Sequence, residues 1–141
     1  MRRKAKILFE FNGNILVLKP TNKVKMTLIG GSVNRNETPI EAAIREAAEE
    51  AGIFLTPDDL RTYICCDTII RDKPALFYCF LIRNVNVLFE LKEKHKFELI
   101  GWMPIKDGLK KLRGVEREIS TKLINQYIAN EGVEYSFKRV I

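Results

Sequence analysis

Between Thr38 and Gly52 the chain carries a helix whose two ends are both written in its residues. Thr38 suits the N-cap, Pro39 the first helical position, and Glu41 completes a capping box with Thr38. Gly52 suits the position just past the end, where the backbone turns left-handed. At about 100° per residue, Ile40, Ala43, Ile44, Ala47 and Ala51 form one apolar stripe. A helix with such a stripe must lie against a second layer, so the rest of the chain has to supply a sheet or further helices.

Glu46, Glu49 and Glu50 fall at i, i+3 and i+4, inside a separate wedge of roughly 100°. The grouping is costly. Like charges at these spacings destabilise a helix by about a few tenths of a kcal/mol per pair. The macrodipole also disfavours carboxylates near a C-terminal end. Arg45 is the only cation in the helix. Two readings follow: a solvated acidic face, or an oxygen-rich cradle for a hard divalent cation such as Mg²⁺ or Mn²⁺.

The remaining segments supply a mixed order of strands and one further helix, two helices in all, so the fold class is α+β. Residues 4–19 read as a hairpin about Asn12-Gly13-Asn14. Val24 to Ile29 reads as a short strand running into Gly30-Gly31. Arg61 to Ile70 and Ala75 to Val85 read as an antiparallel pair about Arg71-Asp72-Lys73-Pro74, and Leu99 to Met103 as a further short strand. Val115 to Ala129 carries Ile119, Leu123, Ile124, Tyr127 and Ile128 at helical spacing. With 141 residues and no linker or repeat, one domain over 1–141 is expected, since domains run to roughly 100–200 residues.

Apolar residues make up 46% and charged residues 30%, which excludes disorder and collagen-like chains. No apolar run approaches the ~18 residues of a membrane span, and the basic start lacks a cleavage site, so no membrane partner is expected. Cys65, Cys66 and Cys79 are odd in number, which suits packed thiols in a reducing compartment and a cytoplasmic location. The net charge of +6 suggests an anionic partner. Five glutamates against Arg45 give −4 over residues 37–50, which leaves +10 elsewhere.

Gly31, Glu37, Arg45, Glu46, Glu49, Glu50 and Gly52, closed by Ile53, stand in the register Gly-x5-Glu-x7-Arg-Glu-U-x-Glu-Glu-x-Gly-U, with U a bulky aliphatic residue. This segment, 31–53, resembles the Nudix box. A chance match of all seven fixed residues is on the order of one in a million at average residue frequencies. The resemblance implies a mixed β-sheet sandwiched between α-helices, and a MutT-like hydrolase. Such an enzyme cleaves the diphosphate linkage of a nucleoside diphosphate joined to another group, with Mg²⁺ or Mn²⁺ as cofactor. Trp102 stands where the family often has Trp before its C-terminal helix. Met26, Ile29, Asn36 and Ala47 depart from common family residues without removing a ligand.

The resemblance further implies roles. Glu46, Glu49 and Glu50 would hold metal, helped by the Gly30 carbonyl, and Glu49 is favoured as general base with Glu46 second. Arg45 and Glu37 would orient the glutamates, beside Gly31. Glu93 and Glu98 are candidates for an extra loop carboxylate. His95 reads as a surface residue, and Lys106, Lys110, Lys111 and Arg113 as a solvated loop leading into a helix. Tyr63, Phe77 and Tyr78 suit either core packing or base stacking, and no role is assigned to them. A nucleoside triphosphate or derivative is the default substrate. Thr68 and the Ile69-Ile70-Arg71 run lack the Pro and Tyr common in members acting on ADP-ribose and on dinucleoside polyphosphates. RNA 5′ ends are a less favoured substrate, and a homodimer is open because dimers are common in the family. The alternative is a Nudix-fold sensing module that binds a nucleotide without turnover. A nucleic-acid-binding domain finds no motif.

Overall fold

The computed structural model describes residues 1–128. Strands β1 (Arg2–Phe11), β2 (Asn14–Pro20), β3 (Ile29–Ser32), β4 (Tyr63–Ile70), β5 (Lys73–Arg83) and β6 (Phe97–Pro104) form one sheet. Helices α1 (Pro39–Ala51), α2 (Ile105–Lys111) and α3 (Gly114–Tyr127) cover it. The sheet order is β4-β5-β1-β2-β6, with β3 also paired to β1. The β1–β5 pair is parallel and the other pairs are antiparallel, so the expected mixed sheet is present.

Strand alternation builds two cores from one sheet. Ala5, Ile7 and Phe9 of β1 face α1, whose buried Ala42, Ala43, Ala47 and Ala51 let helix and strand approach closely. Leu8, with Ile15, Val17, Phe77 and Cys79, faces α2 and the Ile119, Leu123 and Ile124 stripe of α3. The sheet is therefore sandwiched between helices. The expected end of α3 at Ala129 lies outside the described residues. Among the described residues, no helix is long and apolar enough to cross a membrane.

Two expectations are corrected. The strand placed at Val24 to Ile29 begins only at Ile29, and residues before it make single bridges, Leu18 to Thr27 and Met26 to Leu112. Val24 is 90% exposed while Met26, Thr27, Leu28 and Ile29 are all buried, so the stretch lacks the alternation of a paired strand and makes isolated bridges instead. The basic run 106–113 is not a loop over its first part but α2. Ile105, Gly108, Leu109 and Leu112 turn inward, and a Cβ on Gly108 would stand 2.6 Å from Ile15 Cδ1. Lys106, Lys110 and Lys111 are exposed on its outer side.

Candidate active site

The site begins at β3. Gly30 has φ +135°, and a Cβ there would lie 2.1 Å from the Ala5 carbonyl oxygen, so only glycine lets β3 pair with β1 at this point. A Cβ on Gly31 would stand 2.7 Å from Glu46 Oε1. The side chain that Gly31 lacks is thus the space that the Glu46 carboxylate fills. The two glycines act as a floor for carboxylates.

Helix α1 lies over that floor with its ends formed as its residues dictate. The Thr38 hydroxyl accepts from Glu41 N–H at 3.1 Å, and Glu41 accepts from Thr38 N–H at 2.8 Å. Gly52 closes the helix at φ 62°. The three glutamates do share a wedge, but it runs from core to solvent. Glu50 is 5% exposed, the Glu46 side chain 15% and the Glu49 side chain 47%.

Among the described residues Glu50 accepts one hydrogen bond, from Gly30 N–H at 2.8 Å. Burial pushes its carboxyl up to about 8, and the nearby Glu46 and Glu93 add to the rise, while Lys6 and the Gly30 N–H oppose it. Glu93 reaches this position because its chain segment is tied to the end of α1. Glu90 N–H donates to the Ala51 carbonyl at 2.9 Å and Lys92 N–H to the Glu50 carbonyl at 3.1 Å. Glu98 is elsewhere, on β6, paired with Lys19. Of the two loop carboxylates anticipated, only Glu93 joins the cluster. His95 sits exposed in a turn.

Arg45 gathers the rest. Its guanidinium grips Glu37 through two bonds of 2.7 and 2.9 Å, and donates to Glu46 at 2.9 Å, Glu49 at 3.5 Å and the Ser32 carbonyl at 3.1 Å. The Glu37 carboxyl is held below the usual carboxylate range by that bond, and Arg45 is held more firmly charged. As they stand, Glu46 and Glu49 turn to Arg45, and no three His, Cys, Asp or Glu side chains converge on one point among the described residues.

Several supporting residues have no signal in the box. Arg3 of β1 donates to the Glu37 carbonyl at 3.2 Å and fixes the loop before α1. Lys6, 7% exposed, donates to Thr27 Oγ1 at 3.0 Å and to the Leu28 and Gly30 carbonyls at 3.1 Å each. The Gly30 carbonyl, anticipated as a metal ligand, therefore already accepts an ammonium hydrogen bond. Glu116 is 4% exposed and accepts from Thr27 Oγ1 at 2.8 Å and Leu28 N–H at 2.7 Å. One signal was available: Glu116 lies three and seven residues before Ile119 and Leu123, on the buried stripe of α3. Trp102 packs on Phe11 and Phe89, with ring centroids 6.2 and 6.3 Å apart. Tyr63 stands half-exposed on β4 against Phe80, whereas Phe77 is buried.

On the opposite face of the sheet lies a cleft of about 670 Å³, lined by residues of β1, β5 and the β4–β5 turn and by the start of α3. It meets the glutamate site at Ser32, whose carbonyl faces Arg45 and whose hydroxyl accepts from Lys4 Nζ at 3.0 Å.

A mixed sheet between helices, with a glutamate-bearing helix seated on a glycine strand, is the arrangement of a Nudix domain. A model of the NUDIX domain matches residues 1–123, and the chain belongs to that family. No curated protein matches the chain in sequence. Solved structures with the same fold include a MutT NUDIX hydrolase from Burkholderia pseudomallei, 22% identical, with TM-score 0.68 over 84% of this chain and 94% of that one. A bifunctional NMN adenylyltransferase/ADP ribose pyrophosphatase from Francisella tularensis, complexed with AMP and a Mn ion, is 23% identical. Its TM-score is 0.72 over 89% of this chain and 41% of that one. An Ap4A hydrolase from C. elegans is 21% identical, with TM-score 0.65 over 90% of this chain and all of the other.

Proposed function

We propose that this chain hydrolyses the diphosphate linkage of a nucleoside diphosphate joined to another group, with a nucleoside triphosphate or derivative as default substrate. The observation that carries the reading is the carboxylate cluster on β3, where Glu46 fills the space Gly31 leaves and Glu50 is buried beside Glu46 and Glu93. Such crowding of like charge costs the fold stability and suits a hard cation. Glu46, Glu49 and Glu50, with Glu93 beside them, offer the all-oxygen donor set that Mg²⁺ or Mn²⁺ takes. The bound cation would neutralise the diphosphate and activate water.

The chain's own residues do the rest. Arg45, locked by Glu37, aims Glu46 and Glu49 along one side of the helix, a positioning role. Glu49 is the favoured general base because it is the most exposed of the three and is held by Arg45 more loosely than Glu46 is. Glu46 is the second choice. The cleft beyond Ser32 takes the part of the substrate away from the cleaved bond. The thiols of Cys65, Cys66 and Cys79 are free, which supports a reducing, cytoplasmic setting.

The test is phosphate and pyrophosphate release over a set of nucleotide derivatives with Mg²⁺, Mn²⁺ or EDTA, alongside Glu49→Gln and Glu50→Gln. Turnover is expected only with metal, and each variant is expected to lose at least ~100-fold. Turnover in EDTA, or unchanged rates in both variants, would overturn the reading.

A further inference from the structure

The cleft beyond Ser32 is far more basic than a nucleotide base or a sugar requires. Among the described residues Arg2, Lys4, Lys6, Arg71 and Arg113 all line it, against a single acid, Glu116. Glu116 is already spent on Thr27, Leu28 N–H and Arg113, the last at 3.3 Å. Lys6 is spent too, since its three donors all rest on protein oxygens. Arg2, Lys4 and Arg71 have no carboxylate within ion-pair distance among the described residues. Lys4 registers the crowding: burial lowers its pKa first, and Lys6, Arg113, Arg2 and Arg71 each lower it further. Uncompensated cations converging on one concave surface form an anion site.

The lining also argues against stacking. Among the described residues Phe77 is the one aromatic residue in it and is 3% exposed, so it forms floor and offers no free ring face. Arg71 is presented by strained backbone. Ile70 pairs with Lys73 across the two-residue turn Arg71-Asp72, with φ 51° and 64°. That is the geometry in which Asn and Gly are favoured and arginine is not. The chain accepts a poor turn residue where it places Arg71 in the lining of the cleft.

We infer that this cleft binds a phosphate group of the substrate additional to the diphosphate that is cleaved. The inference rests on the hydrolase reading for where cleavage occurs, and it narrows the substrate class to derivatives bearing at least one further phosphate. That phosphate lies either in line in the polyphosphate chain or on a sugar; its chemistry at the cleft is the same. A diphosphate between two neutral groups leaves Arg2, Lys4 and Arg71 unpaired.

Two measurements test it. The first is calorimetric binding of inorganic tripolyphosphate in EDTA at low and moderate salt, for the wild-type chain, Arg2→Ala and Arg71→Asn. Arg71→Asn suits the turn and keeps the hairpin. Wild-type binding is expected, weakened by salt and at least ~10-fold by each variant. The second compares kcat/KM within matched pairs: diadenosine tetraphosphate against diadenosine diphosphate for an in-line phosphate, and NADPH against NADH for a sugar phosphate. A preference of at least ~10-fold is expected in one pair, reduced in Arg71→Asn. The pair that shows it identifies the source. Turnover that depends on Glu49, without tripolyphosphate binding and without preference in either pair, overturns the cleft assignment alone. Tripolyphosphate binding lost in Arg71→Asn, with no turnover of any compound, supports the anion cleft and overturns the hydrolase reading.

Discussion

Two glutamates are buried on opposite sides of the same short stretch, residues 27–30, in opposite circumstances. Glu116 receives the Thr27 hydroxyl, the Leu28 N–H and the Arg113 guanidinium. Among the described residues Glu50 receives a single N–H, from Gly30, and sits beside two more carboxylates. Their exposures, 4% and 5%, are nearly equal. Burial alone therefore does not separate a structural carboxylate from a chemical one. The number of donors does. A buried acid with its lone pairs satisfied is a fastener between α3 and the sheet, whereas one left short of donors, with carboxylates nearby and only Lys6 to offset them, keeps the free lone pairs that the proposed cation would take.

The largest effect expected from breaking this contrast is on the satisfied side. Glu116→Ala strips partners from Leu28 N–H, Thr27 and Arg113 and leaves Lys6 facing less negative charge. Loss of a partner from a buried charged network costs about 3 kcal/mol. Urea unfolding should show a lower midpoint with an unchanged slope. A shift below about 0.5 kcal/mol would mean that the network is dispensable and that the contrast with Glu50 has no energetic content.

What could be read in the residues and what could not follows the range of the forces involved. The ends of α1 and the Asn12-Gly13 turn, with φ 51° and 78°, depend on neighbours within a few positions. The cap, the left-handed glycine and the box register were legible for that reason. Strand β3 was misplaced because Gly30 and Gly31 have no strand preference of their own. They pair because β1 lies against them and Glu50 takes the Gly30 N–H. Helix α2 is seven residues with Gly108 near its middle, and it forms because it packs on Ile15. The choice of Glu93 over Glu98 turned on two main-chain bonds from residues 90 and 92 to the end of α1. The Thr27–Glu116 contact joins residues 89 apart. No local pattern carries such information.

The contrast sharpens when Glu50 is neutralised. Its carboxyl titrates near 8 in the folded chain against an ordinary value of 4.5. Between those values the folded state binds a proton that the unfolded state has lost, so stability falls as pH rises through that window. Gln keeps an acceptor for Gly30 N–H and cannot charge. In EDTA, Glu50→Gln should match the wild type near pH 5 and exceed it by about 1–2 kcal/mol above pH 8, while losing activity. Denaturant curves at the two pH values check this. A destabilised variant at high pH would show that Glu50 is as well satisfied as Glu116.

The smallest effect belongs to Glu37, which lies at the site but behaves like Glu116 in having its charge paired. Its carboxyl is held below the ordinary range by Arg45. Here the sign reverses: the contribution is full above the unfolded value, and it is lost as pH falls through the lowered one. Both side chains are partly exposed, at 28% and 14%, so solvent screening keeps the pair to about 0.5–1 kcal/mol. Glu37→Gln should therefore be slightly less stable than the wild type at neutral pH, with the gap closing on acidification below the ordinary Glu range. Thermal unfolding at pH 7 and pH 3 measures it. A gap that widens in acid would place Glu37 with Glu50, among the carboxylates the fold carries at a cost, and would remove Arg45 as the group that holds it charged.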